Sequence, residues 1–286
     1  MKDQLKFWYR MLSNRWQTLH LDYPVEFKPR SSPQIDKGNP MIQGIIANER
    51  AAISSFTSRI LEFKGELQQI KTRASETNPL LPGWNNGFLP GLDMAALFTV
   101  IAHHRPRKYI EVGSGNSTLV AAAAKSQFSP DTEITSIDPF PRADIDQISQ
   151  RIIRTPFEKL GQELLGEMAP GDVLFIDNSH RILPNSDGTA FFLEWLPKLQ
   201  PGVLVQIHDI YLPWDYPEDM CQRGYSEQYM LAMALLSNPI RYRPFFPAFW
   251  VHQQQDFRNK LAPIWNHPNT QSVAPHGGSF WFQIGE

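Results

Sequence analysis

The stretch Glu111–Ala124, EVGSGNSTLVAAAA, constrains this chain more than any other. KYIEV (108–112) reads as a short strand, glycines stand at 113 and 115, and an alanine-rich helix begins near Ser117. A strand that turns through glycines straight into a helix opens a βαβ unit, and such units build parallel sheets. Gly113 permits a tight turn, Gly115 lets a ligand approach the backbone, and the start of the helix offers free N–H groups. A dinucleotide fingerprint would carry a third glycine where Thr118 stands, so that kind of site is weakened. Asp138 follows the second strand, EITSI (133–137), about 25 residues after Gly113, close to where a ribose-binding carboxylate belongs.

The alternation continues, and the fold class it implies is α/β. Further strands are predicted at 151–154, 172–176 and 202–207, with helices at 117–126, 156–165 and 189–199. Asp93 reads as the N-cap of a helix over 94–104 that Pro106 stops. A helix at 227–237 and strands at 241–246 and 278–284 complete the set. Before them, residues 45–75 carry apolar side chains at mostly helical spacing, and FWYRMLSNRW (7–16) reads as an aromatic, basic arm packed on the domain. These patterns divide the chain into an N-terminal arm and helical extension (1–84) and a main domain (85–286). The main domain has an insertion at about 247–277 that covers the site as a lid or forms a subunit contact in a homo-oligomer.

Composition removes several classes. A net charge of −2 argues against a broad electrostatic hold on nucleic acid, and one cysteine, Cys221, rules out an internal disulfide framework or a cysteine-based zinc cluster. The first residues lack a signal-like apolar core and no ~20-residue apolar run exists, so a cytoplasmic protein without a membrane span is expected.

In an open parallel sheet ligands bind beyond the carboxyl ends of the strands. Two clusters fall there: Asp177, Asn178 and His180 after the fourth strand, and His208 with Asp209 after the fifth. Imidazole titrates near neutral pH, so His180 or His208 could serve as a general base, with Asp209 beside them. Alternatively a magnesium ion held by Asp177 and Asp209 could bind and acidify an acceptor hydroxyl. The loop YLPWDYPEDM (211–220) follows directly, and its Tyr211, Trp214 and Tyr216 could wall a flat or sugar-like substrate or pack on the domain.

E-x-G-x-G-x-S-T after the first strand and S-I-D-P after the second resemble class I S-adenosylmethionine-dependent methyltransferases. FIDNSHR (175–181) and PGVLVQIHDIYLPWDYP (201–217) are similar to a bacterial branch of small-molecule O-methyltransferases of the catechol and macrolide-sugar types. The resemblance implies a Rossmann-like, seven-stranded, mostly parallel sheet with the last strand antiparallel and helices on both faces. It implies that Glu111, Gly113, Ser114, Gly115 and Ser117 hold the methionine part of the cofactor and that Asp138 and Pro139 meet the ribose. Phe157 would line the adenine, and Asp177 would meet the cofactor's amino group. Metal-using relatives carry an Asp-Asp or Asp-Asn pair where this chain has His208-Asp209, which favours a metal-free base or a transition metal over Mg2+. The activity so implied is methyl transfer to a hydroxyl of a sugar or natural product. A nicotinamide-dependent oxidoreductase and a non-catalytic binding module of the same fold are the alternatives.

Overall fold

A computed structural model describes residues 5, 8–9, 11–13, 17–141 and 144–286. The expected arm at 7–16 lies partly outside these: residues 7, 10 and 14–16 are not among them. Helices α1 (Pro40–Asn48), α2 (Arg50–Glu62), α3 (Lys64–Gln69) and α4 (Gly91–His104) precede strand β1 (Lys108–Val112). Then follow α5 (Asn116–Phe128), β2 (Glu133–Ile137), β3 (Arg151–Ile153), α6 (Glu163–Glu167), β4 (Val173–Ile176), α7 (Asp187–Ala190) and β5 (Leu204–Ile207). Last come α8 (Glu218–Gln222), α9 (Glu227–Ser237), β6 (Tyr242–Pro247), α10 (Ala248–Gln253), α11 (Gln255–Trp265) and β7 (Phe280–Ile284).

The strands form one sheet in the order β3-β2-β1-β4-β5-β7-β6. β1 to β5 run parallel, and β7 is antiparallel to both β5 and β6. This is the seven-stranded α/β architecture that the motifs implied. The order reverses between β1 and β4, so the chain leaves their carboxyl ends in opposite directions and opens a crevice there. β1 is buried along its whole length, as a central parallel strand covered on both faces must be. α4 is apolar all round and buries twelve of its fourteen residues, packed against α5 and α2. Ile42, Ile46, Ile53, Phe56 and Ile60 of α1 and α2 join the same core as the sheet. Among the described residues, no helix is long and apolar enough to cross a membrane.

Several expected elements take other forms. Asp93 is no N-cap: α4 starts at Gly91 after Pro90, and Asp93 lies buried in its first turn. The helix expected at 156–165 is a 3-10 turn at Phe157–Lys159 followed by the short α6, because Leu160 is extended and Gly161 follows it. The helix expected at 189–199 begins at α7, where Ser186 caps Thr189, and tightens through a π turn into a 3-10 turn. Pro197, lacking an N–H, accounts for the irregular end. The 247–277 insertion packs mainly on the N-terminal helices. Arg50 pairs with Asp256 at 2.6 Å, Lys260 donates to the Ser54 carbonyl at 2.8 Å and Gln68 to the Pro263 carbonyl at 2.9 Å. Only its His276 reaches the crevice.

Candidate active site

A single cavity of about 820 Å³ runs along the carboxyl ends of β1, β2, β4 and β5. Its first end is the turn after β1. Gly113 has φ +81°, and a Cβ there would lie 1.9 Å from the Asp177 carbonyl oxygen. Glycine is therefore required where the β1 and β4 ends meet, because any side chain would push them apart. Asp138 accepts the Ser114 N–H at 2.8 Å and the Phe140 N–H at 2.7 Å, which ties the β2 turn to the β1 turn. Gly113, Ser114, Asp138, Pro139 and Phe157 all line the cavity.

Glu111, Gly115 and Ser117 stand behind that wall. The buried Glu111 carboxylate accepts from Tyr109 Oη and Ser117 Oγ at 3.0 Å each, from Ser136 Oγ at 2.7 Å, and from Thr118 Oγ1. Burial pushes its pKa up to about 7 against the pull of these four hydroxyls. Gly115 donates to Thr118 Oγ1 at 3.0 Å. These residues shape the turn from within.

At the middle of the cavity the two strand-end clusters meet. His180 Nε2 lies 3.3 Å from Asp177 Oδ1 and 3.5 Å from Asp209 Oδ2, and its Nδ1 lies 3.2 Å from Glu227 Oε2. His208 Nδ1 is 3.5 Å from Asp177 Oδ1 and 3.6 Å from Asp209 Oδ1, and its Nε2 is 3.4 Å from Asp93 Oδ2. His180 and Asp209 both sit in the left-handed region, at φ +60° and +55°. Non-glycine residues held there are strained, and such strain gathers at working sites.

Burial opposes charge on both imidazoles. For His180 the hydrogen bonds and charges of Asp177 and Glu227 outweigh it, and the pKa is pushed up to about 10. For His208 the charges of Asp209 and Asp177 do the same, raising it well above the ordinary value. Asp177 answers in the opposite sense: burial would raise it, but His208 and His180 hold it well below the usual carboxylate range.

Two of these groups were not legible as site residues. Asp93 accepts the Gly278 N–H at 2.7 Å and the Ser279 N–H at 2.9 Å besides facing His208. Glu227 opens α9, looks in sequence like an ordinary first-turn acid, and is fully buried against His180. Tyr211 lines the cavity, whereas Trp214 and Tyr216 are buried in their loop. Trp214 Nε1 donates to the Asp36 carbonyl at 3.0 Å, and Tyr216 Oη accepts the Gln228 N–H at 2.9 Å.

Residues 110–210 match the family model described as a methyltransferase domain. Over 58 residues the chain is 43% identical to an uncharacterized protein of Archaeoglobus fulgidus, a stretch covering 20% of this chain and 26% of that protein. The chain thus spans about a quarter of the curated relative it matches. Among solved structures it is similar to the MycE methyltransferase from the mycinamycin biosynthetic pathway in complex with Mg, SAH and mycinamycin VI. That likeness has 19% identity and a TM-score of 0.35, over 65% of this chain and 47% of that one. It is also similar to the O-methyltransferase from Bacillus cereus in complex with SAH, at 13% identity and TM-score 0.39, over 81% and 91% of the two chains. A third is the plantazolicin methyltransferase BpumL, at 14% identity and TM-score 0.44, over 86% and 98%. The residues that match the model, 110–210, contain the glycine turn, Asp138 and both strand-end clusters.

Proposed function

We propose that the chain uses S-adenosylmethionine to methylate a hydroxyl of a small molecule. One observation carries this reading: a single cavity joins the Gly113–Ser114–Asp138 turn to the Asp177, His180, His208 and Asp209 cluster. The first end fits the cofactor. Ser114 Oγ is buried at the cavity wall without a hydrogen-bond partner, and the Asp138 carboxylate lines the same wall, suited to ribose hydroxyls. Phe157 and Pro139 offer apolar surface for a base, and Asp177 lies toward the cluster. When bound, the cofactor supplies an electrophilic methyl group on a sulfonium.

The chain's own part is to orient an acceptor and to take its proton. His180 is the residue proposed to hold that proton, from its neutral form, with Asp177 and Glu227 fixing its ring. His208, facing three carboxylates, stays cationic and offsets part of their charge. Asp209 would orient the acceptor hydroxyl against His180. For the Mg2+ ion considered from the sequence, Asp177 and Asp209 already face both imidazoles. Among the described residues, no three Asp, Glu, His or Cys side chains form a metal-holding group. These side chains therefore do not fit that ion.

Calorimetry with S-adenosylhomocysteine tests the first half: Asp138→Asn should weaken binding at least about tenfold through lost ribose hydrogen bonds. No binding to the wild-type chain would refute the reading. Transfer of labelled methyl to a panel of hydroxylated sugars and phenols, neutral and acidic, tests the second half.

A further inference from the structure

The far end of the cavity carries two guanidiniums, those of Arg181 and Arg223. Both lie against the ring of Tyr225, with Cζ 5.6 Å and 4.5 Å from its centroid. Tyr225 in turn stacks on the His180 ring, at 4.7 Å between centroids and 31° between planes. The arginines are thus held one aromatic ring away from the residue proposed to take the acceptor's proton.

Their own partners leave them unneutralised. Arg181 donates through Nε to the Arg223 carbonyl at 2.8 Å and through Nη1 to the Ser179 carbonyl at 3.3 Å, which leaves Nη2 for a ligand. Among the described residues, neither arginine has a carboxylate within ion-pair distance, and no acceptor is hydrogen-bonded to the Arg223 guanidinium. The nearby acids are already engaged. Asp187 takes the Ser179 N–H at 2.8 Å, the Ser179 hydroxyl at 2.6 Å and the Gly188 N–H at 2.7 Å. Asp177 and Asp209 face the imidazoles. A planar guanidinium fork matches an oxyanion bidentately, and stacking on a tyrosine fixes its plane beforehand.

We propose that the methyl acceptor is an acid: it bears a carboxylate or phosphate group that Arg181 and Arg223 bind while its hydroxyl faces His180. This rests on the methyltransferase reading. It makes the pair a specificity device that turns away neutral sugars and phenols of the same shape.

The test is binding of four probes to the full chain saturated with S-adenosylhomocysteine, followed by NMR or calorimetry. The anionic probes are 4-hydroxybenzoate and 4-hydroxyphenyl phosphate, and the neutral ones are 4-hydroxybenzamide and hydroquinone. At least one anionic probe should bind about tenfold or more tighter than its neutral counterpart, and whichever anion does so identifies the group. Arg223→Gln should reduce that preference and the double variant with Arg181→Gln should abolish it, with S-adenosylhomocysteine affinity held within about twofold. Equal binding of charged and neutral probes, a preference that survives the double variant, or no anionic binding below about 10 mM would each overturn the proposal. If S-adenosylhomocysteine fails to bind while the arginine-dependent preference persists, the methyltransferase reading falls and the anion site stands.

Discussion

Glu111 offers the sharpest physical test of the glycine turn. Its carboxylate has no exposure and no cationic partner, only four hydroxyls from Tyr109, Ser117, Thr118 and Ser136. Burial raises its pKa from 4.5 to about 7. Between those values the folded chain keeps the proton and the unfolded chain has released it. Stability therefore falls as pH rises from about 4.5 to about 7 and levels off above. At about 1.4 kcal/mol for each tenfold change in proton affinity, the whole fall is about 3 kcal/mol. Glu111→Gln removes the titration and keeps one acceptor oxygen, and its NH2 can donate to hydroxyls that rotate to accept. Urea unfolding of both proteins at about pH 4.5 and about pH 8 measures the effect. The stability gap should shift by about 3 kcal/mol in favour of the variant at the higher pH. A gap constant to within about 0.5 kcal/mol would refute the reasoning, because Glu111 would then ionise alike in both states.

Three other outcomes follow from the same geometry. Gly113→Ala forces a Cβ to 1.9 Å from the Asp177 carbonyl at φ +81°, and should cost about 2 kcal/mol or more in denaturant unfolding and abolish S-adenosylhomocysteine binding. With His180 as the base and its pKa pushed up to about 10, turnover should rise with pH toward that value. Glu227→Gln should move the rise to lower pH, and a flat profile from about pH 7 to about pH 10 would remove His180 from the role. Asp93→Asn replaces one of two acceptors for the Gly278 and Ser279 N–H groups by a donor, so thermal unfolding should report a loss of about 1–3 kcal/mol.

What the sequence disclosed was local. The five parallel strands announce themselves by short apolar runs separated by turn residues, and the Gly113 turn and Asp138 follow from chain direction alone. His180, His208 and Asp209 could be nominated because strand ends converge. What escaped was long-range. Asp93 finds its N–H partners 185 and 186 residues away, and Glu227 finds His180 at a separation of 47. Neither pairing leaves any periodic trace. Trp214 and Tyr216 could wall a substrate or pack on the domain, and residues 36 and 228, which engage them, decide for packing. Glu111 was read as a ligand-facing acid, and only the packed structure puts it behind the turn.

The position of β7 has a consequence for how the molecule is made. Residues 280–284 lie between β5 and β6 in the sheet, although they leave the ribosome after both. A nascent chain can pair β1 to β5 as they emerge, but β6 has no neighbour in the sheet until β7 slides in beside it. The same late segment brings the backbone that satisfies Asp93, and Asp93 is one of the acids around His208. The cluster around His208 is thus completed only after residues 278 and 279 have been made, and a chain interrupted before them would keep the Gly113 turn but leave Asp93 without its two backbone donors.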